Sequence, residues 1–186
     1  MLNGTSYFGQ GAIQEIVNEI KNRHFKKVLV TSTPDLFEFK VATKVTDLLD
    51  AAGIAYDGYD NIKPNPTIEN VTSGVAACKA AGADVIVAVG GGSAIDTSKA
   101  IATIMTNPEF SDVRSLEGLA PTKHPCLPII AVSTTSGTAA IDLSNVDSGV
   151  LKSPIIIVWE SKSLCRSLRT CFMNLGASVL GAVCMF

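Results

Sequence analysis

Apolar positions along this chain alternate between two periods. Ala12, Ile13, Ile16, Val17 and Ile20 recur three or four residues apart, which is the stripe of an amphipathic helix. The run Lys27-Val28-Leu29-Val30-Thr31 follows and reads as a short buried strand. Leu36, Phe37, Val41, Val45, Leu48 and Leu49 return to helical spacing, with Gly53 as a natural stop. Residues 54–59 predict a second strand. Pro64-Asn65-Pro66 then interrupts the chain, because proline excludes a helix interior and pushes its predecessor toward extended geometry. Thr67 is placed to cap a helix running through Ala81. Residues 84–89 predict a third strand, and their nearly unbroken apolar character suits a strand covered on both faces. Gly90-Gly91-Gly92 ends it, residues 93–106 read as helix, and residues 129–132 predict a fourth strand.

The resulting order is one helix, then β-α-β-α-β-α-loop-β. Strands and helices that alternate at these lengths imply a parallel sheet with helices on both faces. Right-handed crossovers make it an α/β fold of the Rossmann-like doubly wound kind.

Composition narrows the class. A length of 186 residues suits one domain, or one domain with an appendage. With 47% apolar and 17% charged residues, the chain is not of disordered composition. A net charge of −2 without a Lys/Arg stripe argues against a nucleic-acid partner. The start shows no basic segment followed by an apolar run, and no stretch reaches the roughly 18–20 apolar residues of a membrane span. Five cysteines at irregular positions form neither a disulfide framework nor a CxxC pair, so reduced thiols of a cytoplasmic protein are expected.

The composition changes near residue 140. Residues 1–140 hold 14 acidic and 11 basic side chains, against 3 and 4 in residues 141–186. The later segment carries Cys165, Cys171, Cys184, the only tryptophan (Trp159) and an almost uncharged end. The expected division is therefore residues 1–140 as the α/β unit and 141–186 as a divergent tail. That tail is either a second structural unit or a segment of different origin, such as a truncation or a reading-frame change. Within it, residues 155–159 read as a strand.

Candidate chemistry concentrates at two strand ends. In Val89-Gly90-Gly91-Gly92-Ser93-Ala94-Ile95-Asp96, three glycines leave a buried strand and enter a helix. Without Cβ atoms this backbone can take positive φ and approach a ligand closely. The helix N-terminus adds unpaired N–H groups and the positive end of its dipole, and phosphate is the fitting ligand. Ser93 can cap the helix, with Asp96 at a capping-box-like spacing, or donate its hydroxyl to a phosphate oxygen. The pattern is neither GxGxxG nor a P-loop, and a tight turn without a ligand remains the alternative. The second segment, Ser133-Thr134-Thr135-Ser136-Gly137-Thr138, sets five hydroxyls at a strand's C-terminal edge. They could bond a nucleotide's sugar or amide, or cap their own backbone.

Gly90-Gly91-Gly92-Ser93-x-x-Asp96-x-x-Lys99 together with Thr134-Thr135-Ser136-Gly137-Thr138 resembles the iron-containing (group III) alcohol dehydrogenases, most closely their lactaldehyde reductase (1,2-propanediol oxidoreductase) branch. Residues 8–12, Pro64-Asn65-Pro66-Thr67 and residues 107–118 support the match, which covers about residues 3–140. The resemblance implies a dinucleotide-binding α/β domain followed by a helical metal domain. It implies hydride transfer between NAD or NADP and a small aldehyde or alcohol such as lactaldehyde, with Fe(II) or Zn at the reacting carbonyl and a homodimer as a candidate assembly. By the same resemblance, Gly90, Gly91, Gly92 and Ser93 bind pyrophosphate. Thr134, Thr135 and Thr138 line the nucleotide cleft, and Asn65 lies near the adenosine half. Thr33 stands where many members carry an aspartate on the adenosine ribose. An acid there repels a 2′-phosphate and a neutral hydroxyl does not, so the choice between NAD and NADP stays open.

The pattern departs from the family after Ala139-Ala140, where Ile141-Asp142-Leu143 replaces the expected continuation. The family's metal ligands are one aspartate and three histidines. This chain has only two histidines, His24 and His124, both expected on the surface, so no family-type metal site and no catalytic residue is assigned. On this reading the chain is the nucleotide-binding part of such an enzyme and inactive alone. The alternative is a non-catalytic nucleotide-binding module or a partner of a full-length enzyme.

Overall fold

The computed structural model describes residues 5–63, 67–116, 122–134 and 155–159. Its strands are β1 (Thr5–Phe8), β2 (Lys27–Thr31), β3 (Ala55–Tyr59), β4 (Val85–Gly90), β5 (Ile129–Ser133) and β6 (Ile155–Trp159). All pair in parallel, in the spatial order β1-β6-β5-β4-β2-β3. The helices are α1 (Glu15–Asn22), α2 (Pro34–Glu38), α3 (Thr43–Ala51), α4 (Ile68–Ala81) and α5 (Gly92–Thr106).

Alternation along the central strands builds two cores. Val28, Val30, Val85, Val87, Val89, Ile130 and Val132 point to one face and pack with Ile16 and Ile20 of α1 and Val45 and Leu49 of α3. Leu29, Ile86, Ala88, Ile129 and Ala131 point to the other and pack with Val71, Val75 and Cys78 of α4 and Ile95 and Ile101 of α5. Both faces are thus covered, which explains why β4 is buried at all six positions. Asp84 locks the start of this centre: its carboxylate accepts the N–H groups of Lys26 (2.8 Å) and Lys27 (3.1 Å) at the head of β2.

The direction of winding reverses once among the elements described. From β2 the chain moves outward to β3 by way of α2 and α3. It then returns over the opposite face through α4, passes β2 and enters β4, and α5 carries it on to β5. Changing direction and face together keeps each crossover right-handed. In open α/β sheets the crevice that takes a ligand forms at such a reversal, which here falls at the C-terminal ends of β2 and β4.

Two local features differ from the sequence expectations. The helix expected across Leu36–Leu49 is two helices. Lys40 takes φ 56°, and Val41 N–H donates to the Leu36 carbonyl (2.9 Å) while Lys40 N–H donates to that of Phe37 (3.1 Å). That is a Schellman stop with lysine where glycine is usual. The chain's first described element is β1, a four-residue edge strand too short to leave a periodic pattern. The strand expected over residues 155–159 forms as β6 and pairs with both β5 and β1. Thr67 caps α4, also as expected, and completes a reciprocal box with Asn70.

Candidate functional site

Strand order brings three polar strand ends to one edge of the sheet. Thr31-Ser32-Thr33 leaves β2, Gly90-Gly91-Gly92-Ser93 leaves β4, and Ser133-Thr134 leaves β5, with β4 between the other two. Gly90 is buried at φ 150°. A Cβ placed on it would lie 2.8 Å from the Ala94 Cβ and 3.3 Å from Leu36 Cδ1, so α5 approaches the turn more closely than any side chain permits. Gly91 is the N-cap of α5, extended at φ −86° and ψ −164°, and its carbonyl accepts Ile95 N–H at 3.2 Å.

The expected cap at Ser93 does not form. Helix α5 starts one residue earlier than the sequence suggested, so Ser93 lies inside its first turn, and no side chain caps the helix. The Ser93 carbonyl accepts the Thr97 hydroxyl (2.7 Å), and exposed Asp96 pairs with Lys99 (3.3 Å) instead of folding back over the N-terminus. Since no side-chain oxygen caps it, the N-terminus of this 15-residue helix keeps its partial positive charge facing the crevice. The surroundings therefore fit a phosphate: a cradle that a Cβ would fill, and donors without a side-chain acceptor.

Thr134 joins the turn through its backbone, donating N–H to the Gly90 carbonyl at 3.0 Å. Thr33 sits at the mouth of the crevice as the residue before α2. Its backbone is extended and its side chain makes no cap bond. The structure thus gathers Gly90, Gly91, Gly92, Ser93, Thr33 and Thr134 at one edge. Asn65, Thr135 and Thr138 lie outside the described residues.

Sequence reasoning missed three hydroxyls beneath this edge. Ser32 Oγ donates to the Val89 carbonyl (2.8 Å), and Thr31 Oγ1 meets Ser98 Oγ (2.7 Å). The available signal was a polar pair directly after a β-branched run, where a buried strand would otherwise stay apolar.

A profile of the iron-containing alcohol dehydrogenase family matches residues 3–141, which include every strand end at the crevice. The chain belongs to the iron-containing alcohol dehydrogenases. It is 50% identical to lactaldehyde reductase of Escherichia coli (strain K12) over 140 residues, covering 75% of this chain and 37% of that enzyme. Alcohol dehydrogenase 4 of Saccharomyces cerevisiae (strain YJM789) is 38% identical over 135 residues, 73% of this chain and 35% of that protein. Among solved structures, an alcohol dehydrogenase from Oenococcus oeni superposes with a TM-score of 0.76 at 27% identity, covering 89% of this chain and 46% of that one. The chain therefore spans little more than a third of the length of these two relatives.

Iron is implied by the family, but the described residues do not fit it. Among the described residues no three or more His, Cys, Asp or Glu side chains converge. The two histidines of this alcohol dehydrogenase family member, His24 after α1 and His124 before β5, are both exposed. Cys78 is buried against the sheet under α4, and burial pushes its thiol up to about 11, far from an activated nucleophile. Among the described residues no helix is long and apolar enough to cross a membrane.

Proposed function

We propose that this chain is the nucleotide-binding part of an NAD(P)-dependent oxidoreductase of lactaldehyde reductase type, with the dinucleotide lying across the crevice between β2 and β4. A bound nicotinamide would supply hydride-transfer chemistry toward a small aldehyde such as lactaldehyde, giving 1,2-propanediol. The chain's own residues bind and orient. The first-turn amides of α5 and the Ser93 hydroxyl hold the pyrophosphate, while the Gly90 turn lets the backbone come near it. Thr134 and, by the family pattern, Thr135 and Thr138 border the nicotinamide half. Thr33 and Asn65 border the adenosine half. The nucleotide unit is residues 1–140, with β6 filling its sheet from beyond them.

Thr33 places a neutral hydroxyl where an acid would repel a 2′-phosphate, so NADH and NADPH bind with affinities within about tenfold of each other, a gap of 1.4 kcal/mol or less. The observation that carries the function is the uncapped α5 N-terminus beside a glycine that tolerates no Cβ, at the point where winding reverses. Fluorescence titration of the 186-residue chain with NADH and NADPH tests it. Saturable binding, abolished by Gly91→Val, is expected; unchanged affinity in that variant refutes it.

A second reading, a nucleotide-binding module without turnover of its own, is favoured by the lack of a convergent metal-donor set among the described residues. Assay of the purified chain with NADH, lactaldehyde and added Fe²⁺ or Zn²⁺ tests what both readings share, and steady NADH oxidation overturns it. Pull-down against a full-length homologue separates the two: capture supports the module as a partner, and nucleotide binding without capture supports the enzyme part.

A further inference from the structure

Beyond the groups that would touch a dinucleotide, we infer that Thr31 and Ser98 are positioning residues for the phosphate turn, an inference that rests on the dinucleotide reading above. The β2–β4 register ends at Thr31 opposite Ala88. Side-chain hydroxyls take over where the backbone ladder stops. Ser32 Oγ donates to the Val89 carbonyl, just before Gly90. Ser98 Oγ donates to the Ala94 carbonyl at 2.7 Å, which spends its only proton, so Thr31 Oγ1 is the donor in the 2.7 Å contact with Ser98.

Two consecutive residues, Thr31 at the end of β2 and Ser32 just after it, therefore grip the glycine turn. One holds its strand end, and the other holds the second turn of α5. Ala94 is the residue whose Cβ stands against Gly90, so the hydroxyl chain ends on the contact that sets how deep the helix sits. Thr31, Ser32 and Ser98 are each fully buried. An apolar pair would fill the same space without desolvating polar groups, and the hydrogen bonds add what packing lacks, one fixed distance and direction. By holding α5 in register with β2, they aim its first-turn amides at one point, as a phosphate site requires.

The test compares Thr31→Val, Ser98→Ala and the double variant with Thr31→Ser as the hydroxyl-retaining control. ADP and adenosine are the probes, and their affinity ratio isolates the phosphate-dependent part of binding. Ser98→Ala leaves the Thr31 hydroxyl buried without its acceptor, whereas the double variant leaves no unpaired hydroxyl and regains thermal stability. In Thr31→Val and in the double variant the ADP-to-adenosine ratio is expected to fall by about tenfold, the scale of one charge-assisted hydrogen bond. Thr31→Ser keeps the ratio. Exchange of the Ile95 amide, the first hydrogen bond of α5, is expected to quicken in both variants with or without nucleotide. If the double variant recovers stability and the ratio together, the hydroxyls serve stability alone and the inference is overturned. Failure of the unmodified chain to bind ADP at millimolar concentration would instead overturn the dinucleotide reading, and this inference with it.

Discussion

Replacing Gly90 with alanine probes the one backbone position where strand, helix and crevice meet. Two costs act there. Left-handed backbone at φ 150° strains any residue with a Cβ, by about 1–3 kcal/mol. The new methyl would also stand 2.8 Å from the Ala94 Cβ, and overpacking of a tight contact costs about 1–3 kcal/mol more. Leu36 Cδ1, at 3.3 Å, is the end of a flexible side chain and can yield. The expected loss is therefore about 2–6 kcal/mol, read by urea denaturation. Gly53→Ala is the control, because Gly53 has φ 68° but nothing within 4 Å of a built Cβ, so it carries backbone strain alone. Adding Ala94→Gly to Gly90→Ala removes the clash and should recover part of the loss, less about 1 kcal/mol for glycine inside a helix. A loss no larger at Gly90 than at Gly53, or a double variant less stable than Gly90→Ala by the full helix cost of glycine, would show that the close approach of α5 is not what demands glycine.

Further outcomes follow from other parts of the molecule. Asn107 is fully buried and its amide bonds the Thr103 and His124 carbonyls and Thr106 Oγ1, while its carbonyl accepts Lys123 and His124 N–H. Asn107→Ala should cost about 2–4 kcal/mol, since several buried groups lose their partner at once, and should speed amide exchange at Lys123 and His124. Lys40 and His24 both hold left-handed backbone at helix stops, at φ 56° and 59°. Changing either to glycine should stabilise the fold by about 0.5–1 kcal/mol in the same denaturation assay. At Glu19, burial by itself would raise the carboxyl's pKa, but hydrogen bonds from Tyr7 (2.6 Å) and Arg23 (2.7 Å) outweigh it and hold the group below its ordinary value. Glu19 thus contributes stability above the ordinary glutamate range, and that contribution fades as pH falls through its lowered folded value. Unfolding curves from pH 6 to pH 3 should show a shallower acid slope in Glu19→Gln, and an identical slope would remove Glu19 from the account.

Much of the chain was legible because its signals are local. The Thr67 cap, the Gly53 stop and the apolar run of β4 each follow from a few neighbouring residues. The stop at Lys40 was not legible, because a non-glycine residue held in left-handed backbone carries no mark in the sequence. The cap of α5 was misplaced by the opposite effect. Ser93 looks like a cap in isolation, but the helix begins at Gly92. The short edge strand β1 left no pattern to read.

By itself the sequence determined the alternation of strands and helices, the burial of the central strands on both faces and the glycine turn that a phosphate fits. The hydroxyl run at the end of β5 made Thr134 a candidate, and family resemblance added Thr33. Only the tertiary structure decided that β4 lies between β2 and β5, that winding reverses beside it, and that Thr31, Ser32 and Ser98 meet beneath the turn. The reason is physical. Apolar periodicity records which faces of an element are covered, and strands covered on both faces look alike. Their order is set by crossover handedness and helix packing, which act between residues as far apart as Thr31 and Ser98 and leave no local pattern behind.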